Sequence, residues 1–442
     1  MQRSNWPQYL LTSVLLLALI IDGLDMQLLS LVSPLLLSEW GVNKAALGPA
    51  LSAAMVGMSG GAMLGGWLGD RWGRKFVLVG SVFCFGTATL AVAFAGNLDQ
   101  VTGLRVLGGI GFGAAAPNAV ALASEWLGRT LRTKAISLLS IGAPLGGMMG
   151  AILLIGLLSS LGWRGSFILC GLLALLIMVV IAAVVPESPS YLLARGHTGR
   201  LAALRERWGG AELDAESLAS AEDVVAHAVP VAAQTAPVSR RFFYGSSLAF
   251  FSISFVAYAC AAWTPLLVTQ SGLSLVQGLG AVFWFNLCAV LAAVLAGFLV
   301  PFMGSRCLML LGATLAGVAS VLFLLLLGPG DLAARTTTGL WIAVVAGMAG
   351  AGTATVLATV YMVLAAGYPP LRRSTGLGLG MMLGRAGGIF STFFGGRLLG
   401  ATPQDSAPFF MAMLVGVVGT FVGILLVDRH LVARSPTAEM SR

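Results

Sequence analysis

Long apolar segments separated by short polar ones dominate the chain. Each is about 20 residues or longer, the length that an α-helix needs to cross the hydrocarbon core of a bilayer. Six segments precede a long polar stretch and six follow it, at about 9–37, 45–69, 76–96, 101–124, 135–160 and 165–185, then 242–268, 276–300, 307–328, 338–366, 375–399 and 408–427. The pattern predicts an all-α membrane protein with twelve transmembrane helices in two six-helix bundles.

The long polar stretch divides the chain into four predicted parts. They are an N-terminal six-helix bundle (1–185), a cytoplasmic central loop (186–241), a C-terminal six-helix bundle (242–428) and a cytoplasmic tail (429–442). In the central loop, RLAALRERW and AELDAESLASAEDVVAH are expected to form short surface helices. We interpret the loop as a solvated connection between the bundles.

Composition agrees with a protein that crosses the membrane many times. Of the 442 residues, 58% are hydrophobic and only 10% are charged, whereas soluble domains contain about 25% charged residues. The N-terminus has one Arg and no small-residue cleavage site, so the first apolar segment is expected to stay as a spanning helix. The five cysteines have no metal-ligand spacing, and we expect no disulfide, metal or cofactor.

The net charge is +8, and the distribution of the basic residues among the loops predicts the topology. If the N-terminus is cytoplasmic, most Lys and Arg residues fall in cytoplasmic loops, while the outer loops contain only Lys44, Arg164, Arg335 and the nearby Arg397. This is the positive-inside pattern. It predicts that both termini are cytoplasmic and argues against a nucleic-acid partner.

Two aspartates interrupt the first apolar segment. Asp22 lies about 13 residues into it, near the membrane midplane, where an ionised carboxylate costs about 2.5–3.5 kcal/mol. Asp22 and Asp25 are three residues apart and therefore share one helix face. We predict that they carry protons, because a carboxylate whose charge is costly readily takes up a proton. The alternative is a pair that stays protonated and only joins helices by hydrogen bonds.

The loop after the second span carries a motif with a weak internal repeat. GWLGDRWGRK, from Gly66 to Lys75, recurs as GFLVPFMGSR, from Gly297 to Arg306. Pro301 occupies the position equivalent to Asp70. Two parallel six-helix repeats around a midplane site are the architecture of alternating-access transporters.

These motifs resemble those of a known family. GWLGDRWGRK resembles the G-x-x-x-D-[RK]-x-G-R-[RK] signature of the major facilitator superfamily, and PESPSYL (186–192) resembles a motif of several of its branches. DGLD (22–25), RVLGGIGFGAAAPNAVALASE (105–125) and LRRSTGLGLGMMLGRAGGIF (371–390) resemble its aromatic acid:proton symporters. The resemblance implies a multi-pass importer in a bacterial inner membrane, driven by protons. We expect the protein to be monomeric. Its expected substrate is an aromatic carboxylate of the benzoate, hydroxybenzoate or phenylpropanoate type.

Two arginines lie at membrane depth and are predicted to bind substrate. Arg385 is about ten residues into the eleventh span, and its guanidinium can grip a carboxylate with two hydrogen bonds. A fixed pair with Asp22 or Asp25 is the alternative. Arg105, near the outer end of the fourth span, is expected to steer anions inward, to pair with the aspartates or to extend to the interface.

The loop motif and the next cytoplasmic loop are predicted to form a gate. The residues assigned to it are Gly66, Asp70, Arg71, Gly73, Arg74, Lys75, Glu125 and Arg129. Asp70 is expected to face the start of the eleventh span, because a carboxylate is favoured at a helix N-terminus. A basic loop that only sets topology is the alternative.

Several aromatic side chains are candidates for stacking on a substrate ring. The candidates are Tyr258, Trp263, Phe283, Trp284, Phe285 and Tyr361. Tyr258 and Trp284 rank first, and Trp263 also fits an interfacial position.

Other functions remain open at this point. An exporter, or a porter of another small organic anion or metabolite, would have the same fold. A sugar porter needs more Asn and Gln groups than the spans contain, and a transport-like sensor would not need the midplane charges. The predicted spans contain no paired nucleophile and base, which argues against an intramembrane enzyme. The three histidines (His197, His227 and His430) lie in polar loops, which argues against a histidine proton relay.

Overall fold

The computed structural model describes residues 6–127, 135, 138–139, 141–208, 239–328, 339–368, 373–400 and 406–431. The helices are α1 (Trp6–Trp40), α2 (Lys44–Trp72), α3 (Arg74–Val92), α4 (Leu98–Trp126), α5 (Gly142–Val184), α6 (Pro189–Ala194), α7 (Thr198–Trp208), α8 (Arg240–Gln270), α9 (Leu275–Met303), α10 (Ser305–Leu327), α11 (Gly339–Gly367), α12 (Arg373–Leu398) and α13 (Ala407–Leu426). In lipid every backbone polar group must be satisfied within the protein, so long apolar segments fold as helices.

The helices match the twelve predicted spans. Within the described residues, ten helical stretches are long and apolar enough to cross a membrane. The shorter apolar helix Gly142–Leu158 and α12, whose apolar run is interrupted by Arg385, complete the set. The two arms of α5 are the fifth and sixth spans, and they are separated at Gly162, whose φ of 60° breaks the helix. The predicted all-α fold is confirmed.

Side-chain caps define several helix starts. Asn97 accepts a hydrogen bond from the Gln100 amide before α4. Before α9, Ser274 and Gln277 form a reciprocal capping box. These caps satisfy amide groups that have no partner within the helix, and so explain why the helices begin at these residues.

The chain divides into two compact units. The first comprises Met1–Leu28, Ala53–Gly150 and Gly156–Ala228, and the second comprises Leu29–Ser52, Ala151–Ile155 and Val229–Arg442. The core of the first includes Phe85 stacked on Phe112, with ring centroids 4.5 Å apart. The core of the second gathers side chains of α8, α10, α11 and the end of α13. The predicted division at 185 and 242 stays a prediction.

The internal repeat is visible in the backbone. Gly73 (φ 103°, ψ 140°) and Gly304 (φ 76°, ψ 155°) each directly precede a helix, α3 and α10, in nearly the same conformation. Positive φ at these turns favours glycine. The two glycines are those that the sequence repeat aligns.

A short segment after α13 binds the start of α10. We call this segment, Val427–Leu431, the C-terminal strap. The Ser305 amide donates to the Leu431 carbonyl at 2.9 Å, and the Leu431 amide donates to Ser305 Oγ at 2.8 Å. Ser305 Oγ also lies 3.2 Å from His430 Nδ1. Arg429 donates to the Gly367 carbonyl at 3.4 Å, so the strap also reaches the end of α11.

The start of the central loop is ordered against the first unit. The predicted helix RLAALRERW is found within α7, and α6 precedes it. Ser188, Pro189 and Leu192 are buried, so this part of the loop is not the solvated connection that we expected. The second predicted helix of the loop lies outside the described residues.

Candidate functional site

Asp25 lies at the centre of a buried polar cluster. Its side chain is completely buried. Arg105 Nη1 donates to Asp25 Oδ2 at 2.6 Å, and Arg105 Nη2 donates to the Asp25 carbonyl oxygen at 2.9 Å. Thr89 Oγ1 donates to Asp25 Oδ1 at 2.8 Å, and Cys170 Sγ lies 4.0 Å from the same oxygen. We call Asp25, Thr89, Arg105 and Cys170 the Asp25 cluster; it joins α1, α3, α4 and α5.

The arginine in this cluster is held by packing as well as by charge. Arg105 is only 3% exposed, and its guanidinium lies 5.4 Å from the centre of the Phe167 ring. Arg105 Nε is buried and has no hydrogen-bond partner among the described residues. Of the three alternatives that the sequence left open for Arg105, the structure has the pair with an aspartate. Its role in substrate binding stays a prediction.

Asp22 lies one helical turn before Asp25 and is 6% exposed. Close packing of α1 against α5 buries this stretch: at Gly23, a Cβ atom would collide with the backbone of Ala143. Both aspartates are therefore buried among helices, where the charged form of a carboxylate is costly. Their proton-carrying role stays a prediction.

The predicted gate residues form a cluster at the ends of α2, α3 and α4. Arg74 forms an ion pair with Glu125 and a second, at 3.5 Å, with Asp70. The Glu125 side chain is 7% exposed, whereas that of Asp70 is 77% exposed. Arg74 therefore joins a buried carboxylate to a solvent-exposed one.

The other predicted gate residues occupy different environments. The Arg71 guanidinium lies 5.4 Å from the centre of the Trp67 ring and forms no ion pair within the described part of the chain. Gly73 supplies the turn before α3, whereas a Cβ atom at Gly66 would meet no atom within 4 Å. Arg129 lies outside the described residues. The predicted contact of Asp70 with the start of the eleventh span stays a prediction.

The motif PESPS supplies contacts to the predicted gate residues that the sequence analysis missed. Glu187 Oε1 accepts hydrogen bonds from the Lys75 amide at 3.0 Å and the Ser188 amide at 2.8 Å. Ser188 Oγ and Ser190 Oγ donate to the two oxygens of Glu125 at 2.5 Å and 2.7 Å. The signal was present, since an acid and two serines directly follow the sixth span. We call Asp70, Arg74, Glu125, Glu187, Ser188 and Ser190 the gate cluster.

The second unit carries the remaining predicted site residues. Arg385 is partly buried on α12, while Tyr258 on α8 is 37% exposed and Trp284 on α9 is 45% exposed. Tyr258 packs against α12, because a Cβ atom at Gly388 would lie 2.6 Å from its ring. Trp284 contacts Phe283, with ring centroids 5.5 Å apart. Their roles in binding substrate stay predictions.

In the residues that the structure describes, no group of three or more His, Cys, Asp or Glu side chains is placed to hold a metal ion. Among the charged side chains of the described helices are the carboxylates of Asp22 and Asp25 and the guanidiniums of Arg105 and Arg385. Such groups bind protons and anions.

Comparison with known proteins identifies the family. The Major Facilitator Superfamily model matches residues 15–392. The chain is 32% identical to the 4-hydroxybenzoate transporter PcaK of Pseudomonas aeruginosa over 89% of this chain and 86% of that protein. It is 30% identical to the gallate transporter of Pseudomonas putida, over 89% and 86% of the two chains. It is 28% identical to the 3-(3-hydroxy-phenyl)propionate transporter of Escherichia coli, over 87% and 85%.

A solved structure agrees with the fold. The inward-open conformation of the xylose transporter XylE from E. coli matches with a TM-score of 0.75, over 97% of each chain and at 17% identity. The chain therefore belongs to the major facilitator superfamily, in the branch that contains the aromatic acid transporters, and is a multi-pass membrane transport protein and not an enzyme.

Proposed function

We propose that the protein is a proton-coupled transporter that imports an aromatic carboxylate across a bacterial inner membrane by alternating access. The substrate is an acid of the benzoate, hydroxybenzoate or phenylpropanoate type. The observation that carries the proposal is the buried ion pair of Asp25 and Arg105. The names of the relatives, which specify 4-hydroxybenzoate, gallate and a hydroxyphenylpropionate, support the substrate class.

Protonation of Asp25 would release Arg105. A buried ion pair that loses one charge leaves the other uncompensated, at a cost of about 3–5 kcal/mol. When Asp25 takes up a proton, an anion that binds near Arg105 compensates the charge of the guanidinium and offsets part of this cost. Proton and anion therefore favour each other's binding, which is the thermodynamic requirement for symport.

The two arginines have different tasks in this proposal. Arg105 couples the anion to the proton, because its pairing with Asp25 depends on the charge of that carboxylate. Arg385 has no ion pair among the described residues, so it is available to grip the substrate carboxylate. Tyr258 and Trp284 stack on the substrate ring.

The gate cluster stabilises the state that is closed on the cytoplasmic side. The support for this role is that Arg74 compensates the charge of Glu125, while Ser188 and Ser190 donate hydrogen bonds to its oxygens. Opening the gate breaks these bonds, and closing it restores them, so the cluster sets the balance between the two states. Both termini are cytoplasmic in this arrangement.

Uptake by proteoliposomes tests the proposal. The purified protein is reconstituted, a pH step is imposed, and accumulation of labelled benzoate, 4-hydroxybenzoate and 3-phenylpropanoate is followed. Accumulation of at least one of these acids above the level in protein-free liposomes, and only when the internal pH exceeds the external pH, supports the proposal. Failure of all aromatic carboxylates, with uptake of an aliphatic anion or expulsion of the label, favours the alternative porter or exporter.

A further inference from the structure

Two aromatic pairs join α8 to α11 in almost the same geometry. Phe242 contacts Tyr368, just beyond the end of α11, with ring centroids 5.4 Å apart and ring planes at 77°. Phe250 contacts Tyr361 with centroids 4.9 Å apart and planes at 76°. The pairs are about two helical turns apart. Because the two ring contacts are alike, the two tyrosines can be compared for what their hydroxyl groups do.

The two tyrosines differ in exposure. Tyr368 is 7% exposed and belongs to the apolar core of the second unit, together with Phe242 and Phe250. Tyr361 is 38% exposed, and its hydroxyl makes no hydrogen bond to any residue that the structure describes. A phenylalanine would make the same edge-to-face contact with Phe250. Packing therefore accounts for the ring of Tyr361 but not for its hydroxyl.

Tyr361 lies near one cationic side chain and a second phenol. Arg385 and Tyr258 are close enough to interact electrostatically with its phenol group. Phe250, which contacts the Tyr361 ring, lies against α12 at Gly384, where a Cβ atom would come within 2.5 Å of the Phe250 ring. The absence of a side chain at Gly384 thus lets α12 carry Arg385 close to the ring pair of Phe250 and Tyr361.

We propose that Tyr361 is a substrate-binding residue, whose hydroxyl donates a hydrogen bond to the carboxylate that Arg385 holds. A carboxylate offers about four lone-pair sites, so it can accept from a guanidinium fork and from a phenol at once. The inference rests on the proposed function and adds a residue to its site. The inference also makes a specific prediction. Because the hydrogen bond is to the carboxylate, its loss should lower the affinity for all aromatic acids by similar factors, whatever their ring substituents.

The test compares Tyr361→Phe with Tyr368→Phe in the purified full-length protein. Both substitutions remove one hydroxyl and keep the edge-to-face contact. Calorimetric titration with benzoate and with 4-hydroxybenzoate measures the two Kd values for each variant. A hydrogen bond to a charged group is worth enough to change affinity about tenfold or more. Tyr361→Phe is expected to raise both Kd values about tenfold, by similar factors, and Tyr368→Phe to change neither by more than about twofold.

Three results would overturn the inference. Unchanged affinity in Tyr361→Phe would remove the hydroxyl from the site. A loss confined to 4-hydroxybenzoate would mean that Tyr361 contacts the ring substituent and not the carboxylate. A similar loss in both Phe variants would indicate a general packing effect.

Failure of the inference and failure of the proposed function give different results. If the wild-type protein binds no aromatic carboxylate, both are wrong. If it binds them and Arg385→Ala abolishes binding while Tyr361→Phe binds normally, only the role of Tyr361 is wrong.

Discussion

Arg105 holds Asp25 at two points, its carboxylate and its backbone carbonyl, with donor–acceptor distances of 2.6 Å and 2.9 Å. The planar guanidinium can make both bonds at once, which a lysine ammonium cannot do with the same geometry. The pair connects α1 to α4 in the interior of the first unit. A change in the charge of Asp25 therefore changes the electrostatic energy of Arg105 directly.

The gate cluster gives the first prediction. Arg74→Ala is expected to lower the transport rate severalfold and to leave substrate affinity within about twofold, because Arg74 contacts Asp70 and Glu125 near the ends of α2 and α4 and not the residues proposed to bind substrate. Asp70→Asn should have a smaller effect, since a solvent-exposed ion pair is worth at most about 1 kcal/mol. Uptake rates in proteoliposomes and Kd values of the purified variants are the measurements.

Arg71→Ala is the matched control. It removes the same charge from the same loop, but Arg71 stacks on Trp67 and forms no ion pair with another described residue. If Arg71→Ala slows transport as much as Arg74→Ala, the loop acts only through its total charge. Equal losses of affinity and turnover in Arg74→Ala would likewise contradict a gating role.

The C-terminal strap gives a prediction about pH. Burial lowers the pKa of His430, and the neighbouring Arg306 lowers it further, while Asp428 and the carbonyls of Ile424 and Val427 act in the opposite direction. The folded strap therefore binds a proton less readily than the released strap. Its stability is complete above the ordinary histidine pKa of about 6.5 and falls as the pH drops below that value.

Hydrogen exchange of the strap measures this effect. The Ser305 amide donates to the Leu431 carbonyl, and the Leu431 amide donates to Ser305 Oγ. Both amides should lose protection from exchange as the pH falls from about 7 to about 5. In His430→Gln this pH dependence should disappear, whereas His197→Gln, a substitution outside the strap, should keep it. Protection that is independent of pH in the wild type would show that His430 does not titrate with strap release.

Arg385 gives a prediction about affinity. Arg385→Lys keeps the charge but loses the two-pronged grip, and truncating one partner of a buried charged hydrogen bond costs about 2–5 kcal/mol. Affinity for aromatic acids is expected to fall at least about tenfold, as measured by calorimetry or thermal shift. Normal binding by Arg385→Lys and Arg385→Ala would assign Arg385 a structural role and make Arg105 the candidate for the carboxylate.

Hydropathy was sufficient to predict the helices, because a bilayer leaves long apolar segments little alternative. The sequence repeat aligned Gly73 with Gly304, and the structure shows that both glycines have positive φ, which restricts the residue type. The partner of Arg105 could not be predicted from the sequence. Asp25 is 80 residues away, and residue type alone left three roles for the arginine open.

The side-chain cluster around Glu125 was predicted only in part, because some of its contacts join residues that are distant in the sequence. Asp70, Arg74 and Glu125 stood out as charged residues in short loops. Glu187 and the serines of PESPS follow the sixth span and reach the cluster through packing of α6, a contact across more than 60 residues of chain. The composition of the central loop indicated a solvated segment, whereas in the fold its first residues contact Glu125.

The most direct test of the account is the uptake of an aromatic acid by Asp25→Asn and Asp22→Asn in proteoliposomes. Asparagine imitates the protonated carboxylate and cannot release a proton. Neither variant is expected to concentrate the labelled acid when a pH step is imposed, and at least one should still exchange labelled for unlabelled acid in a counterflow assay. If both variants still accumulate the acid against its gradient when the internal pH exceeds the external pH, the aspartates do not carry the coupled proton, and the central claim is wrong.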